Sequence, residues 1–340
     1  MTTVLGDIVI ALLALLGAGV LADLVMRFVA VRRARRERRV RPAAEAGIAE
    51  YLAGAGAVRR PGTAGERSVW LTVAIEAMLD LRGEERARLA ALLDRLGYVP
   101  QQSIALHARR VGVRRHAAEV LAIIATPAAL SALTGGLGDP DPLVRCTCAR
   151  ALAKAGGLDG AAMAITIAQR DALAAPGAVA ALVLVLGQNQ PGALGPLLGP
   201  AARPPARLIA VRVAGALRLA QYAVLLRDCL AGGDELAAAA AEGLGAIGDI
   251  DSVAALTELA AADGRSAAVR ATAAAALGRI GDDSAADVLG GLLGSADWSL
   301  RAAAAVALGE LGPPGAAVLR RAVTAGPEPG RALAAAVLTP

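Results

Sequence analysis

Apolar and small residues recur at helical spacing through most of the chain. In "SAADVLGGLLGS" (residues 284–295), four aliphatic side chains fall one turn apart: Val288, Leu289, Leu292 and Leu293. Such spacing is typical of the buried face of a helix. No segment shows the sustained alternation of a strand. The run "AALVLVLG" (180–187) is locally strand-like, but it falls where the surrounding pattern places a helix, so we predict an all-α fold.

A longer pattern with a period near 31 residues organises the body of the chain. It consists of an apolar residue, Arg, several small residues, Ala-Leu-Gly, two further residues and a closing Gly, as in "SLRAAAAVALGELG" (299–312). The Arg is found at Arg114, Arg145, Arg270 and Arg301. The closing Gly is found at Gly97, Gly156, Gly187, Gly248, Gly281 and Gly312, with Ala125 and Gln221 in two degenerate units. We expect about eight helix pairs stacked as an α-solenoid.

The composition agrees with closely packed helices. Hydrophobic residues make up 56% of the 340 residues and aromatics only 2%, so Ala, Leu and Val must form the core. Asp141 and Asp297 stand at N-cap positions before second helices of the pairs. The Pro- and Gly-rich stretch 188–207 interrupts the pattern. It predicts a distorted repeat, a bend or an interaction loop.

The repeated pattern resembles HEAT repeats, in particular the alanine-rich bacterial type called PBS-lyase HEAT-like repeats, over residues 82–312. This resemblance implies a structural ladder of Asp and Arg that links neighbouring repeats. Its matching residues are Asp141, Arg145, Arg270, Asp297 and Arg301. Ser266 and Arg110 stand where the Arg270 and Arg114 units would need the Asp, so we expect the ladder to be broken there.

A long apolar stretch precedes the repeats. Residues 8–22 carry no charge, but fifteen residues span only about 22 Å of a hydrocarbon core of about 30 Å. Extending the stretch to residues 4–31 places Asp7, Asp23 and Arg27 near its ends, where charges can reach the headgroups. We predict one transmembrane helix within residues 1–31. A cleaved signal peptide and a buried soluble helix are the alternatives.

The net charge of +5 is confined to the first sixty residues, where ten Arg face five acidic residues. The Arg residues that follow the apolar stretch are Arg27, Arg32, Arg33, Arg35, Arg36, Arg38, Arg39 and Arg41. The positive-inside rule places this flank in the cytoplasm, next to anionic lipid headgroups. We therefore expect a single-pass inner-membrane protein with its N-terminus outside. A basic juxtamembrane segment and linker (32–62) would lead to a cytoplasmic solenoid (63–340).

Chemical motifs are sparse. His107 and His116 are nine residues apart, and the directions of Cys146 and Cys148 on a helix diverge, so neither pair predicts a metal site. There is no phosphate-binding loop and no nucleophile elbow. We predict a protein without catalytic activity, cofactor or metal. The run "HARRVGVRRH" (107–116) is a local basic patch in a charge-balanced array. It fits a solvated face or a contact with phosphate or an acidic protein.

These observations favour a membrane-anchored scaffold that binds and organises or regulates a membrane-associated protein. Resemblance to membrane-anchored bacterial HEAT proteins suggests a cell-envelope enzyme, such as a glycosyltransferase, as the partner. A lyase-type enzyme or enzyme subunit is one alternative, and a nucleic-acid-binding HEAT protein is another, disfavoured by the balanced charge and scarce aromatics of the array. The inner surface, formed by the second helices, would bind the partner through Arg115, Glu119, Arg150, Lys154, Glu242, Arg279 and Glu310.

Overall fold

The computed structural model describes residues 35, 37–54, 58, 60–326, 328 and 330–339. All regular secondary structure in these residues is helical, which confirms the predicted all-α class for them. The chain divides into two compact units, Met1–Ala132 and Leu133–Pro340, called unit 1 and unit 2 below. The predicted transmembrane helix (1–31) lies outside the described residues. Of the helices described, none has both the length and the apolar character needed to cross a membrane.

Among its described residues, unit 1 contains five helices and the start of a sixth. They are α1 (37–52), α2 (Ala64–Asp80), α3 (Gly83–Arg95), α4 (Tyr98–Ala105), α5 (Val111–Ile124) and α6 (Pro127–Gly136), which ends in unit 2. A capping box fixes the start of α2, because Thr63 accepts from the Glu66 amide and the Glu66 side chain accepts from the Thr63 amide.

Helix α1 packs against α2, although its sequence falls in the predicted basic segment and linker. Ala44 and Ile48 are buried, and Gly47 lets the ring of Trp70 approach so closely that an added Cβ would lie 2.9 Å from it. Arg41 donates to Glu76 on α2 at 2.5 Å. Its guanidinium, predicted to face the membrane surface, therefore also holds α1 to unit 1.

Unit 2 consists of helix pairs in which a first helix (A) is followed by a second helix (B). The B helices are α7 (Pro142–Ala155), α9 (Pro176–Asn189), α11 (Pro204–Ala216), α13 (Asp234–Ile247), α15 (Ala267–Ile280) and α17 (Trp298–Glu310). The A helices are α8 (Leu158–Asp171), α10 (Gly195–Leu198), α12 (Ala223–Cys229), α14 (Val253–Ala261), α16 (Ala286–Leu292) and α18 (Pro313–Ala325), followed by a last helix, α19 (Gly330–Leu338). One continuous hydrophobic core of Ala, Leu and Val joins the repeats of this unit, as expected when no pair can bury its apolar face alone.

Neighbouring B helices touch backbone to backbone. A Cβ on Gly215 of α11 would lie 2.5 Å from the Cα of Gly243 on α13. A Cβ on Gly245 would lie 2.8 Å from the Cα of Ala276 on α15. The glycine of the repeated Ala-Leu-Gly motif is thus a packing residue. The A helices α14 and α16 touch each other only lightly, so the B layer is the tightly packed side of unit 2.

Most of the predicted closing residues end their helices in a left-handed conformation or one with positive φ. The φ angles are 85° at Gly97, 87° at Gly156, 77° at Gly248, 78° at Gly281, 68° at Gly312 and 52° at Ala125. The prediction was wrong at two positions. Gly187 lies inside α9 and makes room for Leu217, whose Cδ1 would be 2.8 Å from an added Cβ. In the next unit Arg218, with φ of 51°, ends the helix instead of Gln221.

The Pro- and Gly-rich stretch 188–207 forms a short, packed A helix. A 3₁₀ turn (Pro191–Leu194) leads into the single turn of α10. Leu194, Leu197 and Leu198 are fully buried, and the hydroxyl of Tyr222 donates to the carbonyl of Pro191 at 2.7 Å. The stretch is therefore a shortened repeat and part of the core.

Candidate functional site

The Arg row of the repeat motif binds the segment that precedes five of the second helices, α5, α7, α11, α15 and α17. It comprises Arg114, Arg145, Arg207, Arg270 and Arg301, each of which donates to a backbone carbonyl that precedes its helix. Arg301, for example, donates to Ser295 and Ala296 at 2.7 and 2.8 Å. Sequence reasoning missed Arg207, although it lies 62 residues, or two repeats, after Arg145.

Arg145 also forms a buried bidentate ion pair. Its Nε and Nη2 donate to the two carboxylate oxygens of Asp171 at 2.8 and 2.5 Å, and the two residues are only 5% and 2% exposed. The hydrogen bonds that Arg145 donates to Asp171 raise the pKa of Arg145. The carboxylate of Asp141, meanwhile, caps α7 by accepting from the amides of Leu143 and Val144. Arg145 and Asp141 thus both stabilise the turn before α7.

The Arg270 unit carries a link that the motif did not predict. Asp234, at the start of α13, accepts from Arg265 Nη1 at 3.2 Å and from the Ser266 amide at 3.3 Å. These bonds lower the pKa of Asp234 and connect consecutive repeats. Arg270 itself pairs with Asp263 at 2.8 Å. In the last unit Asp297 caps α17 through the Leu300 amide, as predicted from its position. The Asp–Arg ladder as the motif defines it stays a prediction.

Among the described residues, the nucleophilic and metal-ligating side chains do not come together in one site. Burial raises the pKa of the Cys146 thiol to about 11 and that of Cys148 to about 12, and Cys229 is also buried. His107 and His116 are exposed on unit 1. Across the part of the chain that the structure describes, no three His, Cys, Asp or Glu residues come together as metal ligands.

The predicted partner-binding residues occupy equivalent positions on the second helices. Glu119, Arg150 and Glu242 lie six residues before the residue that closes their helix, and Lys154, Arg279 and Glu310 lie two before it. Arg115 lies ten before it. Positions four apart fall on one face of a helix, and these side chains are exposed except Arg115 and Arg150, which are half-buried. We call the exposed face of the unit 2 B helices, at these positions, the B face.

Two exposed apolar side chains extend the B face on α17. Trp298 is 66% exposed and Val306 is 55% exposed. Together with Ala302 and Glu310, they follow one another at intervals of four residues. Sequence reasoning missed both, although a Trp in a chain with 2% aromatics was an available signal.

Charged contacts cross between the B helices on this face. Arg212 Nη2 of α11 and Glu235 Oε1 of α13 are 3.0 Å apart. The carboxylate of Glu310 lies over α15, where an added Cβ on Gly278 would be 2.5 Å from Oε2. The face thus combines a floor of small residues with charged groups of both signs and two exposed apolar side chains.

Comparisons with known proteins agree with this architecture. Residues 102–187 and 260–339 match the family model for HEAT repeats. No curated protein matches the chain. The crystal structure of Kap121p, 12% identical, aligns with a TM-score of 0.51 over 82% of this chain and 37% of that one. This likeness shows the fold alone.

Two further solved structures align less well. Human deoxyhypusine hydroxylase is 20% identical, with a TM-score of 0.32 over 71% of this chain and 95% of that one. The CpcE and CpcF complex of phycocyanin lyase from Nostoc is 18% identical, with a TM-score of 0.28 over 71% and 93%. The two matched regions are similar to HEAT repeats, and the stacked helix pairs agree with that architecture.

Proposed function

We propose that the protein is a membrane-anchored scaffold whose B face binds a protein partner. The observation that carries this proposal is the B face itself, where charged side chains recur at equivalent positions of successive helices and two exposed apolar side chains lie beside them on α17. HEAT-repeat proteins commonly bind protein partners, and solenoids use such extended surfaces for binding. The buried Arg145–Asp171 pair and the buried thiols, by contrast, serve the core.

The anchor in this proposal is the apolar stretch within residues 1–31. The Arg run behind it orients the body towards the cytoplasm, and Arg35, Arg38 and Arg39 are exposed where α1 begins. A scaffold held at the inner membrane meets partners that are themselves membrane-associated, and we propose a cell-envelope enzyme, such as a glycosyltransferase, as the partner. This part of the proposal rests on the sequence and on the resemblance to membrane-anchored bacterial HEAT proteins.

A site-specific crosslinking experiment tests the B face. A photoreactive amino acid is placed at Glu242 on α13, at Val306 on α17 or at Glu258 on α14; all three are exposed, the first two on B helices and the third on an A helix. The full-length protein is crosslinked in its native membranes, and the adducts are identified by mass spectrometry. We expect one recurrent membrane protein at Glu242 and at Val306, and none in comparable yield at Glu258.

The charge of the face provides the second arm of the test. Glu310→Arg should lower the yield of that adduct, whereas Glu258→Arg on the A side should leave it unchanged. Equal adduct yields from the two sides of the array would contradict the B face as the binding surface. Release of the protein from membranes by salt or carbonate would contradict the anchor.

A further inference from the structure

The connection between α4 and α5 in unit 1 exposes apolar and basic side chains together. Ile104 is 77% exposed, Val111 39% and Val113 42%. His107, Arg109 and Arg110 lie between them in sequence and are also exposed. We call these six residues the α4–α5 corner. Exposed aliphatic side chains are unremarkable singly, but a group of three beside cationic groups indicates an interaction surface.

The charge of this segment has one sign. From Arg95 to Ala118 the sequence holds five Arg and no Asp or Glu, although residues 61–340 as a whole carry equal numbers of basic and acidic residues. An anionic occupant would therefore complement the charge of this segment. An occupant that also offers an apolar phase would cover the exposed Ile and Val side chains.

The position of α1 brings unit 1 close to the proposed anchor. The predicted transmembrane helix ends at residue 31 and α1 begins at residue 37. Six residues reach at most about 20 Å. Helix α1 is fixed to unit 1 by the buried side chains of Ala44 and Ile48 and by the contact of Arg41 with Glu76. Unit 1 therefore cannot move far from the bilayer, and a weak surface contact acts at high effective concentration.

From these observations we propose that the α4–α5 corner is a second membrane contact, which docks unit 1 on the anionic headgroups of the bilayer. Arg109 and Arg110 would pair with lipid phosphates, while Ile104, Val111 and Val113 enter the boundary between headgroups and acyl chains. This inference rests on the proposed anchor. A membrane fits better than a nucleic acid, because a nucleic acid offers phosphates but no phase for three aliphatic side chains, and none of the six residues is Phe, Tyr or Trp.

A fluorescent probe on the corner tests this proposal. The three native Cys are buried, so a single Cys introduced by Ile104→Cys is labelled selectively with an environment-sensitive dye. Ile250→Cys, at another well-exposed isoleucine (66%) in unit 2, is the matched control. Full-length protein is reconstituted into vesicles of neutral phosphatidylcholine, with or without anionic phosphatidylglycerol. Flotation in carbonate, which removes peripherally bound protein, first establishes that the chain is inserted.

We expect the dye at position 104 to become brighter and shifted to the blue when anionic lipid is present, and the dye at position 250 to remain unchanged. Arg109→Gln with Arg110→Gln should lower the equilibrium constant for docking about 30-fold, at roughly 1 kcal/mol per Arg. The matched pair Arg320→Gln and Arg321→Gln, exposed on α18, should have no such effect.

The outcomes separate this proposal from the anchor. A protein that fails to float with vesicles contradicts the anchor. A protein that floats, but whose dye at position 104 ignores anionic lipid, overturns the corner as a membrane contact. A response to added DNA in place of anionic lipid would overturn it as well, in favour of a nucleic-acid contact.

Discussion

Gly278 and Gly281 stand three residues apart in the same repeat motif, and replacing either with alanine should destabilise unit 2 for a different physical reason. Gly278 lies in the middle of the contact between α15 and α17. Its added Cβ would be 2.6 Å from the Cα of Ala307, whereas carbon atoms pack at about 3.5 Å or more. Gly281 has φ of 78° and nothing within 4 Å of an added Cβ. Gly278→Ala would therefore create a steric clash with α17, and Gly281→Ala would strain the backbone.

The magnitudes follow from these geometries. Overpacking costs about 1–3 kcal/mol, and a neighbouring backbone cannot rotate away, so the upper end applies to Gly278→Ala. Alanine is about 1 kcal/mol more favourable than glycine inside a helix, so the free energy of unfolding should fall by about 2 kcal/mol in total. For Gly281→Ala the left-handed conformation costs roughly 1–2 kcal/mol, partly offset because alanine restricts the unfolded chain, for a net loss of about 1 kcal/mol.

Gly291 on α16 is the matched control, because it is a helical glycine with open space around its Cα. Gly291→Ala should stabilise the protein by about 0.5–1 kcal/mol. Thermal unfolding followed by circular dichroism measures all three variants. For a unit of this size each kcal/mol corresponds to about 2–4 °C, so Gly278→Ala should lower Tm by about 4–8 °C. If Gly278→Ala were as stable as Gly291→Ala, the backbone contact between the B helices would be refuted.

Three further predictions concern the core and the helix ends. Asp171→Asn should destabilise the protein by about 3–5 kcal/mol, because it leaves the buried Arg145 without its anion. Replacing both Arg145 and Asp171 with Leu or Met should lower the free energy of unfolding far less. If a denaturation series gave the single and the double variant the same loss, the buried ion pair would not explain the effect. Arg218→Gly should raise stability by about 0.5–1 kcal/mol, since glycine adopts positive φ freely, and a lower Tm would argue against that backbone. Because burial raises the pKa of Cys146 to about 11 and Cys148 to about 12, a maleimide should label them at neutral pH only after denaturation, and rapid labelling of the folded protein would contradict their burial.

The helices were predictable because the repeat motif encodes them at two levels. Apolar spacing marks each helix, and the recurrent Arg and Gly mark where its second helix starts and ends. The failures arose where one residue type serves two purposes. Gly187 matches a closing glycine in sequence, but its small size is needed inside α9. Arg218 ends its helix with a positive φ. The spacing of the repeat gives no reason to expect an arginine in that conformation.

The charged contacts were harder to predict than the helices. Asp171 was not singled out as the partner of Arg145, because the pair joins the start of α7 to the last residue of α8, 26 residues along the chain. In the Arg270 unit, Asp234 bonds to Arg265 and not to Arg270, the Arg of the repeat motif. On the B face, equivalent positions of the repeat differ in exposure, since Glu242 is exposed and Arg150 is half-buried. The chemistry of a partner is not encoded in the repeat itself.

The backbone contacts between B helices have a mechanical consequence. Helices whose main chains already touch cannot be pressed closer, because protein interiors have low compressibility. On the A side, α14 and α16 meet only lightly, so their separation is able to change. When unit 2 bends, the B layer should therefore act as the hinge, and the distances between neighbouring A helices should change. A molecule seated on the B side would find the same distances between its contact points in every flexed form of the array.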